Sequence, residues 1–136
     1  MIEDTKRILL VDDEEVFVEQ LREALTHAHP DFEIDTASDG IQALEKLGGG
    51  EFDIVITDMR MPRMDGLGLL KEIHSRQLSV YVVVVTAFGN VSLAVEAMRY
   101  GAYDFLEKPF NMDTLEIALA KIIRQQEILK ENIELK

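Results

Sequence analysis

Four features at wide separations could share one reaction: the acid pair Asp12–Asp13, then Asp58, Thr86 and Lys108. Each stands just after a short apolar run. Carboxylates brought together repel unless a cation neutralises them. An all-oxygen donor set suits Mg2+, which keeps several waters and takes one or two carboxylates. A hydroxyl and a mobile ammonium complete a set able to move a phosphoryl group onto a carboxylate nucleophile. Taken singly, each feature is ordinary. An Asp after a strand is usually a cap or turn residue, and the block Asp12, Asp13, Glu14, Glu15 also suits the positive end of a helix dipole. The meaning lies in their coincidence at four strand ends.

The elements that must bring them together are legible as alternating patterns. Ile8–Val11 is a short apolar run, and Phe17, Leu21, Ala24, Leu25 and Ala28 come after it at helical spacing. Residues 32–37 alternate as a half-exposed edge strand should. Ser38 or Asp39 can cap a helix through Leu47 that Gly48, Gly49 and Gly50 stop. Residues 52–57 form a third strand, and Leu67, Leu69, Leu70 and Ile73 mark the next helix. Val80–Val85 is a β-branched run suited to a strand buried on both faces. Val91, Ala94, Val95 and Met98 mark a fourth helix, Tyr103–Leu106 a fifth strand, and Asn111 or Asp113 caps a final helix.

Strands alternating with helices predict an α/β fold, a doubly wound five-stranded parallel sheet covered on both faces. In the flavodoxin-like order 2-1-3-4-5 the switch point lies between strands one and three, and ligands gather there at the carboxyl ends. Asp12, Asp13 and Asp58 would then share one crevice.

Composition bounds the partners. The chain has 136 residues, 14 Lys+Arg against 26 Asp+Glu, a net charge of −12, and no cysteine. That excludes disulfides, Cys-bound metals and thiol chemistry, and it argues against direct nucleic-acid binding, which needs a basic patch. No apolar run approaches a membrane span. A cytoplasmic setting is expected. His27, His29 and His74 read as surface residues, since none forms a ligand cluster.

The motifs ILLVDDE at 8–14, DIVITDMRMPRMDG at 53–66, VVVVTAFG at 82–89 and GAYDFLEKPF at 101–110 resemble the receiver domain of bacterial two-component response regulators. The likeness covers roughly residues 6 to 125. Receivers carry the strand order above, so order and resemblance are one expectation. The resemblance implies Asp58 as phosphoacceptor, with the phosphoryl group coming from a sensor histidine kinase. It implies Asp13 as direct Mg2+ ligand, Asp12 acting mainly through water, and Asp58 and the backbone carbonyl of Arg60 completing the protein ligands. Thr86 would be the switch hydroxyl, Lys108 the phosphoryl-pairing lysine, and Lys108–Pro109 a cis bond. Phe105 would be the switch aromatic, where many receivers carry tyrosine. Arg60 and Phe88 would face the phosphoryl group, and their size would slow its hydrolysis. Phosphorylation would alter the surface of helix four, strand five and helix five.

Leu115, Leu119, Ile122, Gln126, Leu129 and Ile133 fit a heptad register. The expectation is a receiver over residues 1–125, and a last-helix extension over 126–136 that serves as a coiled-coil linker and supports a homodimer. The segments DFLEKPF and ILKENIEL look most like receivers of enhancer-binding transcription activators, so an output domain outside this chain is expected. Two alternatives stand beside this reading. An aspartate-nucleophile phosphohydrolase needs a second Asp two residues past its nucleophile, where this chain has Arg60. A phosphate-independent interaction module would lack part of the acid set, which is complete here. The chain is therefore read as a signalling receiver that catalyses only its own modification, and not as an enzyme.

Overall fold

The computed structural model describes residues 5–87 and 89–134. Five strands and five helices alternate: β1 (Arg7–Val11), α1 (Glu15–Ala28), β2 (Glu33–Ala37), α2 (Gly40–Gly49), β3 (Ile54–Thr57), α3 (Gly66–Ser75), β4 (Tyr81–Thr86), α4 (Val91–Arg99), β5 (Asp104–Glu107) and α5 (Met112–Glu134). The strands form one parallel sheet in the order β2-β1-β3-β4-β5, as expected.

The pleat sorts the core into two layers. Leu9, Val11, Val55, Val82 and Val84 face one side, where α2, α3 and α4 pack. Ile8, Leu10, Ile54, Ile56, Val83 and Val85 face the other, where α1 and α5 pack. β4 is therefore covered on both faces, while the edge strand β2 alternates in exposure. Each fully buried Leu or Ile stabilises the fold by about 1.5–3 kcal/mol. Caps fix the helix starts: Asp39 accepts from the Gln42 N–H, Asp65 from Gly68 and Asn90 from Leu93. Asn111 accepts from the Asp113 N–H at the start of α5.

Three sequence expectations need correction. The helix α2 runs through Gly48 and Gly49 and stops only at Gly50, whose backbone is extended. Of the apolar positions that mark α4, Ala94 is half-buried and the other three lie on the outer face. Val91, Val95 and Met98 are exposed, and Ala97 is the one buried residue of that helix.

The third correction concerns the heptad in α5. Leu115, Leu119 and Ile122 are 0–1% exposed against the sheet and α1, so the first half of the supposed dimer seam is intramolecular core. A helix face packed on a sheet and a coiled-coil seam share their spacing over two or three turns, and burial decides between them. Gln126 is half-buried, and its Nε2 donates to Asp53 Oδ1 at 3.2 Å. Leu129 is exposed, and the Ile133 side chain lies outside the described residues.

This division of α5 is testable by chemical denaturation. Leu119→Ala should cost about 2–5 kcal/mol, as for a filled core position. Leu129→Ala should change the stability of the monomer by no more than about 0.5 kcal/mol.

Candidate functional site

Backbone pairing carries the site residues into place. The parallel ladder continues one residue past each strand end, with the Asp12 N–H donating to Ala37 O and the Asp58 N–H to Val11 O. The carboxylates of Asp12 and Asp58 are thus held side by side at the switch point between β1 and β3. Thr57 pairs with Val84, so Thr86 ends β4 just beyond the level of Asp58. Thr86 in turn pairs with Glu107, and the Lys108 N–H donates to Thr86 O. The Lys108–Pro109 bond is cis, as expected.

Lys108 is the hub. Its Nζ lies 2.8 Å from Asp12 Oδ2, 3.2 Å from Glu14 Oε1 and 3.5 Å from Asp58 Oδ2. The ring of Phe17 covers the remaining side, 4.0 Å from Nζ to the centroid, a cation–π distance. Asp12, Asp58 and Thr86 are buried. Burial opposes the charge on Lys108, yet Asp12, Asp58 and Glu14 together hold its ammonium above the ordinary lysine value. Burial pushes the Asp12 carboxyl above its ordinary value, against the pull of Lys108 and of the Glu14 N–H, and Asp58 adds repulsion. On Asp58, Oδ1 accepts from the Met59 N–H at 2.7 Å, and Oδ2 is the oxygen turned to Lys108.

The next loop folds back hard. The Gly66 N–H donates to Met59 O, and a Cβ at residue 66 would come within 2.1 Å of Asp58 O. Only glycine permits that approach, and it gives the loop bearing Arg60 its tight path beside Asp58.

The site differs from the sequence expectation in its acids. Asp12, Glu14 and Asp58 have ligand oxygens within 4.8 Å of one another. Asp13, expected as the direct metal ligand, is exposed and outside that group. Glu14, expected only to complement the helix dipole, sits at the N-cap of α1 without a capping bond and reaches Lys108 instead. The aromatic contact of Phe17 also escaped sequence reasoning, since its helical spacing marked it only as core. Arg60 is exposed, and Phe88 lies outside the described residues. Phe105 is half-buried; it lines a groove of about 580 Å3 with Asn90, Val91, Ala94 and Thr114, between α4 and the start of α5.

Three mutually repelling carboxylates against one ammonium leave an excess of hard oxygen donors, which fits a divalent cation such as Mg2+.

A five-stranded parallel sheet of this order, with clustered acids and a lysine at its carboxyl ends, defines a receiver-type α/β protein. The chain matches the family model of the response regulator receiver domain over residues 8–120, and it belongs to that family. It is 39% identical over 125 residues to the regulatory protein AtoC of Escherichia coli, covering 92% of this chain and 27% of AtoC. It is 39% identical over 120 residues to the transcriptional regulatory protein FixJ of Bradyrhizobium diazoefficiens, covering 88% of this chain and 58% of FixJ. Thus it spans about a quarter of the length of AtoC and little more than half of FixJ. Among solved structures, the receiver domain of a putative LuxO repressor from Vibrio parahaemolyticus superposes with a TM-score of 0.85 at 30% identity, covering 96% of this chain and 98% of that one. A CheX–CheY complex with BeF3 and Mg2+ from Borrelia burgdorferi gives a TM-score of 0.80 at 30% identity, covering 87% and 89%. Receiver domains bind Mg2+ in an acidic pocket, and here the acidic group is Asp12, Glu14 and Asp58.

The raised Asp12 value has a consequence for stability. Between the ordinary carboxyl value and the raised one, the folded chain binds more protons than the unfolded chain, so this group's contribution falls as pH rises. Asp12→Asn imitates the protonated form. It should therefore raise the melting temperature without metal, and erase most of the increase that saturating Mg2+ gives the parent. For a site filled at a hundredfold excess over Kd, that increase corresponds to about 2.7 kcal/mol. Differential scanning calorimetry with and without Mg2+ reads both effects.

Proposed function

We propose that this chain is a phosphorylation-controlled switch, in which Asp58 accepts a phosphoryl group from a sensor histidine kinase. The observation that carries the reading is the buried Asp58 carboxylate, with one oxygen held by the Met59 N–H and the other turned to the Lys108 ammonium. Asp58 Oδ2 attacks the phosphorus, the phosphorus–nitrogen bond of the phosphohistidine breaks, and its electron pair stays on the imidazole. Lys108 exchanges its carboxylate contacts for the incoming phosphoryl oxygens. Bound Mg2+ would neutralise charge on those oxygens; Asp58, the Arg60 carbonyl and, through water, Asp12 would hold it, with Asp13 turning in from its exposed position beside Glu14. The product is an acyl phosphate. Water attack at phosphorus restores the Asp58 carboxylate and releases inorganic phosphate, which makes the signal timed.

Thr86, at the end of β4, is the hydroxyl that moves to donate to a phosphoryl oxygen. Its movement vacates space that the Phe105 ring enters. Phe105 has no hydroxyl, so its two positions differ by packing alone. The face so altered is α4, β5 and α5. The exposed Val91, Val95 and Met98 on α4 and Ile117 on α5 support a role for that face in pairing with a second copy or an output domain. AtoC and FixJ are named as regulators, and their extra length supports an output domain acting on transcription. Residues 126–136 then serve as the linker, with the exposed Leu129 available to a seam. Among the described residues no helix is long and apolar enough to cross a membrane, which accords with a cytoplasmic chain.

Incubation with Mg2+ and a small acyl-phosphate donor, followed by intact mass, tests the reading. One added phosphoryl group is expected, and none on Asp58→Asn. Continuous release of phosphate from esters would support a phosphohydrolase instead, and an unchanged mass an inert module.

Arg60 and Phe88, the latter outside the described residues, set the lifetime of the product in this reading. Replacing both with small residues should speed loss of the acyl phosphate by roughly tenfold, or about 1.4 kcal/mol of barrier. An unchanged decay rate would remove this role.

A further inference from the structure

The loop from Asp58 to Gly66 is clamped at its far side by a contact that the phosphoryl chemistry does not use. Arg63 Nε donates to Asp39 Oδ2 at 2.8 Å. Asp39 is 4% exposed, and its other oxygen accepts from the Gln42 N–H as the N-cap of α2. Arg63 has φ +66, a left-handed backbone that costs a non-glycine residue energy. Beside this pair the Gly40 N–H donates to Met64 O, and a Cβ at residue 40 would meet Met64 at 2.6 Å.

A solvent-exposed arginine gains little net stability from such a pair, and here it also holds its own backbone in a strained region. Stability alone does not account for the arrangement. What the pair does fix is the path of the loop. Met59 is pinned at its carbonyl by the Gly66 N–H, and residues 63 and 64 are pinned against the first turn of α2. Arg60 lies in the short stretch between Met59 and Arg63.

We propose that Asp39 and Arg63 are positioning residues for the metal pocket, an ionic latch that ties the loop bearing the Arg60 carbonyl to the start of α2. The proposal rests on the reading that this carbonyl is a Mg2+ ligand. The guanidinium beside Asp39, joined by the Gln42 N–H, holds that carboxyl below its ordinary value, so the latch is charged at neutral pH. Loss of either partner leaves the loop free to sample paths that carry the carbonyl away from Asp58.

Two substitutions remove the latch while keeping the local backbone. Asparagine tolerates the left-handed region, so Arg63→Asn keeps the loop conformation accessible. Asparagine is also a good N-cap, so Asp39→Asn keeps the start of α2. Isothermal titration calorimetry with Mg2+ on the metal-free chain is the primary measurement. Each variant should bind Mg2+ about five- to tenfold more weakly, at the low end for outer partners of a metal site. The double variant should be no weaker than the worse single one, because both break the same contact. Arg63→Lys should recover most of the loss. Thermal melting without Mg2+ separates a merely structural role, which would lower the melting temperature and leave Mg2+ affinity within twofold. That outcome, additive single effects, or no recovery with Arg63→Lys would each overturn the latch. A parent chain that binds no Mg2+ would overturn both the latch and the metal reading, whereas normal parent binding with unaffected variants would overturn the latch alone.

Discussion

One ammonium among three carboxylates organises this molecule. Asp12, Glu14 and Asp58 converge on Lys108 because the parallel ladder forces their strand ends together. Without that lysine the ladder would press buried like charges into one crevice, at a cost no local adjustment could remove. The charge balance still leaves the acids in excess. The site is therefore held in a state that the arrival of positive charge relaxes and the arrival of a phosphoryl group redistributes. Phe17 shapes this poise further, because its ring excludes water from one side of Lys108 and leaves the carboxylates on the other.

The helices packed on the sheet do not resist such a change equally. On the α1 and α5 side, Val18, Leu21, Leu25, Leu115, Leu119 and Ile122 make a dense layer. On the other side α4 contributes one fully buried residue, Ala97, and turns Val91, Val95 and Met98 to solvent. A helix with so little buried apolar surface belongs to the low-stability end of a structure. It adjoins both Phe105 and the loop after Thr86, so a change at the acidic pocket meets its least resistance there.

Much of this was legible in the sequence, for a definite reason. A doubly wound parallel sheet gathers the carboxyl ends of its strands, so residues placed just after apolar runs become neighbours by topology alone. Asp12, Asp58, Thr86 and Lys108 could be grouped on that basis, and the motifs around them resembled a receiver. Side-chain direction was harder. Asp13 and Glu14 are adjacent exposed acids at a helix start, and no pattern shows which one reaches Lys108; the structure gives that contact to Glu14. Leu115, Leu119 and Ile122 misled because core and seam share a period. Arg63 gave no signal, since its left-handed backbone and the buried Asp39 are facts of geometry and not of residue type.

The bond from Gln126 to Asp53 lies at the opposite end of the sheet from the acids. Asp53 also accepts from the Arg7 N–H, so the tether fastens α5 to the entrances of β1 and β3 at once. Beyond Ile122, the last buried residue among those described, α5 continues to Glu134. Those 12 residues make a rod of roughly 18 Å at 1.5 Å per residue. Mechanically it is a lever with its fulcrum at the edge of the core. A tilt of about 10° there sweeps the far end through roughly 3 Å, close to one residue of strand. A small rotation at the fulcrum is thus enlarged at the far end to a displacement on the scale of the spacing between strand residues.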